Sequence, residues 1–132
     1  MKKVDLENFA SEIASQLLNY SQDVADETKD AVDEITAEAT KIVRENAPVS
    51  DTKRKGKYKR SIKNDKVHES TLDKEKIIYA NGKEYRLTHL LEKGHLTRNG
   101  KRTKAHPHFE YGDEYIEKNF EKKLVSKVQK IK

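Results

Sequence analysis

Cysteine and tryptophan are absent from this 132-residue chain, which also has only two prolines and five glycines. Without cysteine there is no disulfide, no cysteine nucleophile and no thiolate metal site. The scarcity of glycine argues against nucleotide binding, and no Gly-x-x-x-x-Gly-Lys-Ser/Thr loop occurs to cradle phosphates. Apolar residues are scarce too, at 33% against 39% charged. Any core is therefore small and the isolated subunit marginally stable, which favours a protein that completes its burial by assembling with copies or partners. No stretch approaches the roughly 18 apolar residues of a membrane span. The start MKKVDLENF has no apolar run of the signal-peptide kind. The expectation is a soluble protein made in a cytoplasm, without membrane contact.

What is present is unevenly placed. Residues 1–50 carry 5 Lys/Arg against 11 Asp/Glu, a net of −6, whereas residues 51–132 carry 23 against 12, a net of +11. Such complementary halves suit head-to-tail packing of like subunits; the plainer reading is a solvated helix beside a basic loop. From Asp5 to Asn46 there is no Gly or Pro. Leu6, Phe9, Ile13, Leu17, Tyr20, Val24, Thr28, Ala31, Ile35, Ala39 and Ile42 recur at threes and fours, which predicts a helix. Asp5 can cap its start, and Asn46-Ala47-Pro48 supplies its stop. A continuous helix of that length spans about 60 Å, while a domain of this size is only about 35–40 Å across. Either the helix breaks around the acidic Asp26–Asp30 segment, or part of it reaches beyond its own domain to be covered by another subunit. Coiled-coil dimerisation is a less specific form of the second option.

After Pro48 a lysine-rich stretch leads into a predicted strand near Lys57–Lys63, with further strand at Val67 and at Ile77–Ala80. Asn81-Gly82 predicts a hairpin turn between Ile77–Ala80 and Glu84–Thr88. His89–Lys93 continues as strand or makes one helical turn, with Gly94 as the stop. Thr97–Lys104 reads as a basic loop and His106–Phe109 as extended. Gly112-Asp113 opens a last helix with the stripe Ile116, Phe120, Leu124, Val128 and Ile131. The predicted fold class is α+β: a long N-terminal helix, a small antiparallel β-sheet and a C-terminal helix. One domain covers 1–132, divided into a helical arm (1–48), a β-rich region with basic loops (49–110) and the closing helix (111–132).

The histidines His68, His89, His95, His106 and His108 raise a metal site, since a catalytic zinc needs about three protein ligands. His106 and His108 would share a strand face, with Glu92 and His95 nearby. Yet there is no His-Glu-x-x-His and no helical histidine pair four apart. The expected roles are loop capping or hydrogen bonding at a subunit contact, and no cofactor is expected. No Gly-x-Ser-x-Gly elbow supports a serine nucleophile. The segment Lys53, Arg54, Lys55, Lys57, Lys59 and Arg60, with Tyr58 interleaved, is the best nucleic-acid candidate, through phosphate neutralisation and stacking. Arg98, Lys101, Arg102 and Lys104 form a second basic loop. Charge runs of this kind are usually solvated loops, and no sequence-specific reading motif accompanies them.

The string Tyr85–His95 (YRLTHLLEKGH), with Asn99-Gly100-Lys101-Arg102 and Ala105-His106-Pro107-His108, resembles the tail-component family typified by the gene 10 product of phage HK97. Ala47-Pro48 after a long helix, then a basic segment running to Arg60-Ser61-Ile62, resembles the family's opening. Together these cover roughly residues 1–128. The chain departs from the family where Ser50-Asp51-Thr52-Lys53 stands for Thr-Gly, and where Glu110-Tyr111-Gly112 stands for a second Pro-Ala.

The resemblance implies a non-enzymatic virion protein of a long-tailed phage or prophage, acting in head–tail joining or tail completion. It implies a homo-oligomeric ring, expected to be a hexamer, in the neck. Its partners would be connector or head-completion proteins and tail-terminator or tail-tube proteins, with non-specific contact at most to the DNA in the channel. Leu87, His89, Leu90, Leu91, Glu92, His95, His106, Pro107 and His108 are the expected assembly interface. Leu90 and Leu91 would pack inward or across it, and Glu92 would pair with a nearby basic residue. The basic residues of 53–60, with Arg98, Lys101 and Arg102, would face DNA or an acidic partner. The alternatives are a sequence-nonspecific nucleic-acid-binding protein using residues 53–60 and, third, a histidine-based metallohydrolase.

Overall fold

The structure is a computed structural model that describes residues 6–49 and 56–131. Helix α1 runs unbroken over Leu6–Asn46. The break anticipated at Asp26–Asp30 does not occur, because nothing in that acidic segment removes a backbone donor or demands a non-helical φ. The Asn46 side chain closes the last turn by donating to the Ile42 carbonyl, and the Ala47 N–H donates to Arg44.

Helix α2 (Lys57–Ser61) follows a left-handed Gly56 at φ 74°. Strands β1 (Ile62–Glu69) and β2 (Lys74–Ala80) form a two-stranded antiparallel sheet with a register shift between Lys66 and His68. A 3-10 turn (Gly82–Glu84) leads into helix α3 (Tyr85–Lys93). Helix α4 (Phe109–Val128) closes the fold against α1. The class is α+β, with the long first helix, small sheet and closing helix as expected.

Local assignments shift for identifiable reasons. Lys57–Ser61 is helix rather than strand. Tyr58 and Ile62 are both buried and lie four apart, one helical turn, and the Arg60 N–H donates to the Gly56 carbonyl. The hairpin turn is Ser70–Asp73, where the Ser70 and Asp73 side chains bond each other and the Ser70 N–H donates to the Asp73 carbonyl. Asn81-Gly82 does not turn a hairpin: both primed turns need positive φ at the first central residue, and Asn81 sits at −82°. The chain beyond it coils instead, which brings Leu87 and Leu91 to one face. Helix α4 begins three residues before Gly112, through a contact from α3 described below.

The core is small. Val43, Ala47, Tyr58, Ile62 and Ala80 are buried together, with Ile78, Leu87, Leu91 and Phe109 packed around them. Along α1 the buried positions are Ala25, Ala31, Ile35, Thr36, Ala39, Thr40, Val43 and Ala47. Residues 11–20 of the same helix are exposed throughout. Helix α1 thus reaches past its own body, the second of the two options its length allows.

Much of the charge opposition between the acidic first helix and the basic remainder is met within the chain. Asp33 meets Lys74 at 2.7 Å and Lys76 at 3.4 Å, and Lys29 meets Glu69 at 3.2 Å. Across the α1–α4 seam, Lys123 bridges Glu34 and Glu38, Lys127 reaches Glu34, and the Tyr115 hydroxyl donates to Glu38. That hydrogen bond, then the Lys123 ammonium, holds the Glu38 carboxyl below its usual range.

Candidate functional site

The two segments singled out in the sequence, Leu87–His95 and Ala105–Phe109, interlock. Helix α3 places Leu87 and Leu91 against the core and turns Glu92 towards the start of α4. The Glu92 carboxylate there accepts three backbone N–H groups: His108 (3.1 Å to each oxygen), Phe109 (3.0 Å) and Glu110 (3.1 Å). The first N–H groups of any α-helix lack partners inside it, and a carboxylate also complements the positive end of the helix dipole. Here the cap comes from another helix rather than from the residue before the first turn. In return, the His106 N–H donates to the Leu91 carbonyl at 2.7 Å, near the open end of α3.

His108 sits fully buried at the centre of this joint. Its Nδ1 lies 2.7 Å from the His106 carbonyl and 3.0 Å from Glu92 Oε1. Both are acceptors only, which assigns a proton to Nδ1. Nε2 lies 2.6 Å from the Tyr58 hydroxyl, which in turn is 3.2 Å from Thr88 Oγ1. Burial pushes the Tyr58 phenol above its usual range, with the Glu92 and Glu84 carboxylates adding to that. The result is a closed polar chain from Thr88 through Tyr58 and His108 to Glu92, walled in by core residues. These contacts tie α2, α3 and the start of α4 to one another.

Gly94 ends α3 in a conformation reserved for glycine, φ 74° and ψ 170°. A Cβ built there would stand 2.5 Å from the Thr103 carbonyl oxygen. That close approach lets His95 and Thr103 pair, with the Thr103 N–H donating to the His95 carbonyl and the His95 N–H to Thr103 Oγ1, each at 2.8 Å. The basic loop is consequently a small ribbon, with Leu96 bridged to Arg102 and a turn at Thr97–Gly100.

The predicted site residues divide into two groups. Glu92 and His108 face inward, and the partner of Glu92 is a helix terminus plus His108 rather than a lysine or arginine. Leu87, Leu90, Leu91, His95 and Pro107 are half-buried, while His89 and His106 are exposed. His106 and His108 do not share a strand face, because residues 103–108 carry no regular structure. Among the described residues no group of three His, Asp or Glu side chains converges on a point. Lys57, Arg60, Arg98, Lys101, Arg102 and Lys104 are exposed and Lys59 half-buried; Lys53, Arg54 and Lys55 lie outside the described residues. Tyr58 and Thr88 were not anticipated as members of the joint. The one local sign was an aromatic four residues before Ile62 in an otherwise polar stretch.

A comparison with protein families matches residues 11–94 to the family described as bacteriophage HK97 gp10 tail-component. The matched span runs from Ser11, within α1, through Gly94 and stops short of the Pro-His segment that completes the joint. No curated protein and no solved structure matches the chain. Among the described residues no helix is long and apolar enough to cross a membrane. With nearly two thirds of its length matched, the chain belongs to the HK97 gp10-like family of bacteriophage tail components.

Proposed function

We propose that this tail component works as a non-enzymatic, ring-forming subunit at the head–tail junction, in head–tail joining or tail completion. The observation that carries the reading is the first helix, whose residues 11–20 stand clear of the body although Ile13, Leu17, Leu18 and Tyr20 are apolar. A subunit that leaves such a surface uncovered in a charged, thin-cored fold is built to be completed by neighbours. The exposed face of the α3–α4 joint, with His89 and His106, offers a second contact. Sedimentation of the purified protein, alone and with connector, terminator or tail-tube proteins, tests this. A closed oligomer or a complex with those proteins is expected. A persistent monomer that binds none of them overturns it.

A second reading has one observation in its favour. Lys57, Arg60, Lys63 and Lys83 line a shallow groove of about 300 Å³ beside the Gly82 turn, the right character for a nucleic-acid backbone. Glu84 also lines it and lies 3.8 Å from Lys57, which weakens its positive field. Binding to duplex DNA of unrelated sequences, falling steeply with salt, would favour this reading.

A further inference from the structure

Between Ser11 and Gln22 the only charged residue is Glu12, in a chain that is 39% charged. The same stretch is exposed at almost every position, and its large apolar side chains stay bare: Ile13 41%, Leu17 61%, Leu18 74% and Tyr20 52% exposed. Among the described residues, the nearest cover ends at the hairpin, where Gln22 Nε2 donates to the Thr71 carbonyl at 3.3 Å. Helix α4 runs antiparallel to α1, with Gly112 against Val43 and Lys127 at Glu34. It does not extend to the exposed stretch. Since α1 is continuous, the arm cannot fold back onto its own body.

Ile13, Leu17, Tyr20 and Val24 are spaced four, three and four, the spacing of a coiled-coil seam, and the sequence continues it back through Ala10 and Leu6. The positions flanking the seam are Ala14, Gln16, Ser21 and Asp23. With one charge among them, two copies of this arm can lie side by side with little repulsion. Charge depletion together with bare aliphatic and aromatic side chains is the composition of the centre of an interface, not its rim. A basic or acidic partner groove would find almost nothing on this arm to pair with, whereas an identical arm is matched along its whole seam.

We propose that the residue 11–24 segment of α1 is a self-association element that packs in parallel against the same segment of a second copy. The parallel sense rests on the ring reading above, since rotation about a ring axis carries every arm to the same side. Leu18, beside the seam, widens the stripe and suits a bundle of more than two arms. A helix this short does not pair stably alone, so arm packing adds to contacts between the bodies rather than replacing them.

Because the chain has no cysteine of its own, single-cysteine variants of the full-length protein test this cleanly. Under mild oxidation Leu17→Cys should trap a disulfide-linked dimer, while Ser15→Cys, on the opposite side of the helix, should not. Leu17→Asp should lower the sedimenting mass with the circular dichroism of the body retained, since Leu17 supports nothing in its own subunit. If Leu17→Asp leaves the oligomer intact and Leu17→Cys does not cross-link, the arm inference is overturned and the ring reading stands. If Leu17→Asp dissociates the oligomer but no cross-link forms, the arm docks on a body instead, and pairing of like arms is equally overturned. A wild-type chain that is monomeric at every concentration, with or without its tail partners, overturns both.

Discussion

Glu92 shows how a single surface-type residue can hold a fold together. Its carboxylate meets the N–H groups of His108, Phe109 and Glu110 and the ring of His108, so its loss strands several donors at once. Hydrogen bonds to a charged group contribute about 1.5–3 kcal/mol each, and they share one acceptor here. Glu92→Ala should therefore cost about 3 kcal/mol in urea unfolding, and a loss below about 1 kcal/mol would show the cap to be dispensable. Gly94 is constrained differently, by backbone conformation and by the Thr103 carbonyl 2.5 Å from where a Cβ would stand. Gly94→Ala should destabilise by about 2 kcal/mol or more, while Gly100→Ala, also at positive φ but with open space around it, should cost less. Equal effects at the two glycines would remove the packing part of that argument.

Between elements, the seam of α1 with α4 depends on small residues. Gly112 faces Ala39 and Val43, and an added methyl would come within 2.6 Å of Val43 Cγ2. Gly112→Ala gains about 1 kcal/mol of helix propensity in α4 yet should still destabilise, because neither helix can withdraw without opening the core. Combining it with Val43→Ala should give less loss than the two single changes predict, as coupled neighbours do; strict additivity would count against direct contact.

Beside the apolar packing of Val43 and Ala47 with Ala80, the contact of α1 with β2 has an electrostatic part. The Asp33 carboxyl is held below its ordinary value chiefly by the hydrogen bond from Lys74, with Lys76 adding and desolvation opposing. A carboxyl depressed in the folded state stabilises above its unfolded value near 3.8 and loses that contribution as pH falls through the lower folded value. Asp33 is 40% exposed, so solvent screening limits the effect to about 0.5 kcal/mol. Wild type should melt slightly above Asp33→Asn at neutral pH, and the two curves should converge as the pH falls below 3.8 and through the lower folded value. A gap that stays constant with pH would exclude the carboxylate as its source.

At the scale of the whole molecule, the body and the arm differ in kind. Residues 31–47 of α1 carry the core, whereas residues 11–20 have exposed side chains at every position. An isolated helical stretch of that length is marginal in water. In dilute, unassembled protein the amides of 11–20 should exchange much faster than those of 35–43, and assembly should slow them. Uniform protection along α1 in a proven monomer would mean that the arm is stable without cover.

The long helix, the β2 strand at Ile77–Ala80, the helical close of the chain and the family string were all legible in the sequence. Each depends on periodicity or residue type within a short window, and local sterics act over the same range. The start of α4 was not legible. Phe109–Tyr111 is helical because Glu92, seventeen residues upstream of Phe109, accepts its first N–H groups, and no window around Gly112 contains that information. The same holds for Tyr58, whose polar partners Thr88 and His108 lie 30 and 50 residues away. The Asn81-Gly82 pair looked like a hairpin because its local preference permits one, and the packing of Leu87 and Leu91 on the core overrode it. Sequence alone therefore determined the two long helices, the β2 strand and the family the chain belongs to, but not the helices α2 and α3, whose local patterns read as strand. Only the tertiary structure decided which way Glu92 and His108 face, because burial and capping are set by elements that meet in space rather than along the chain.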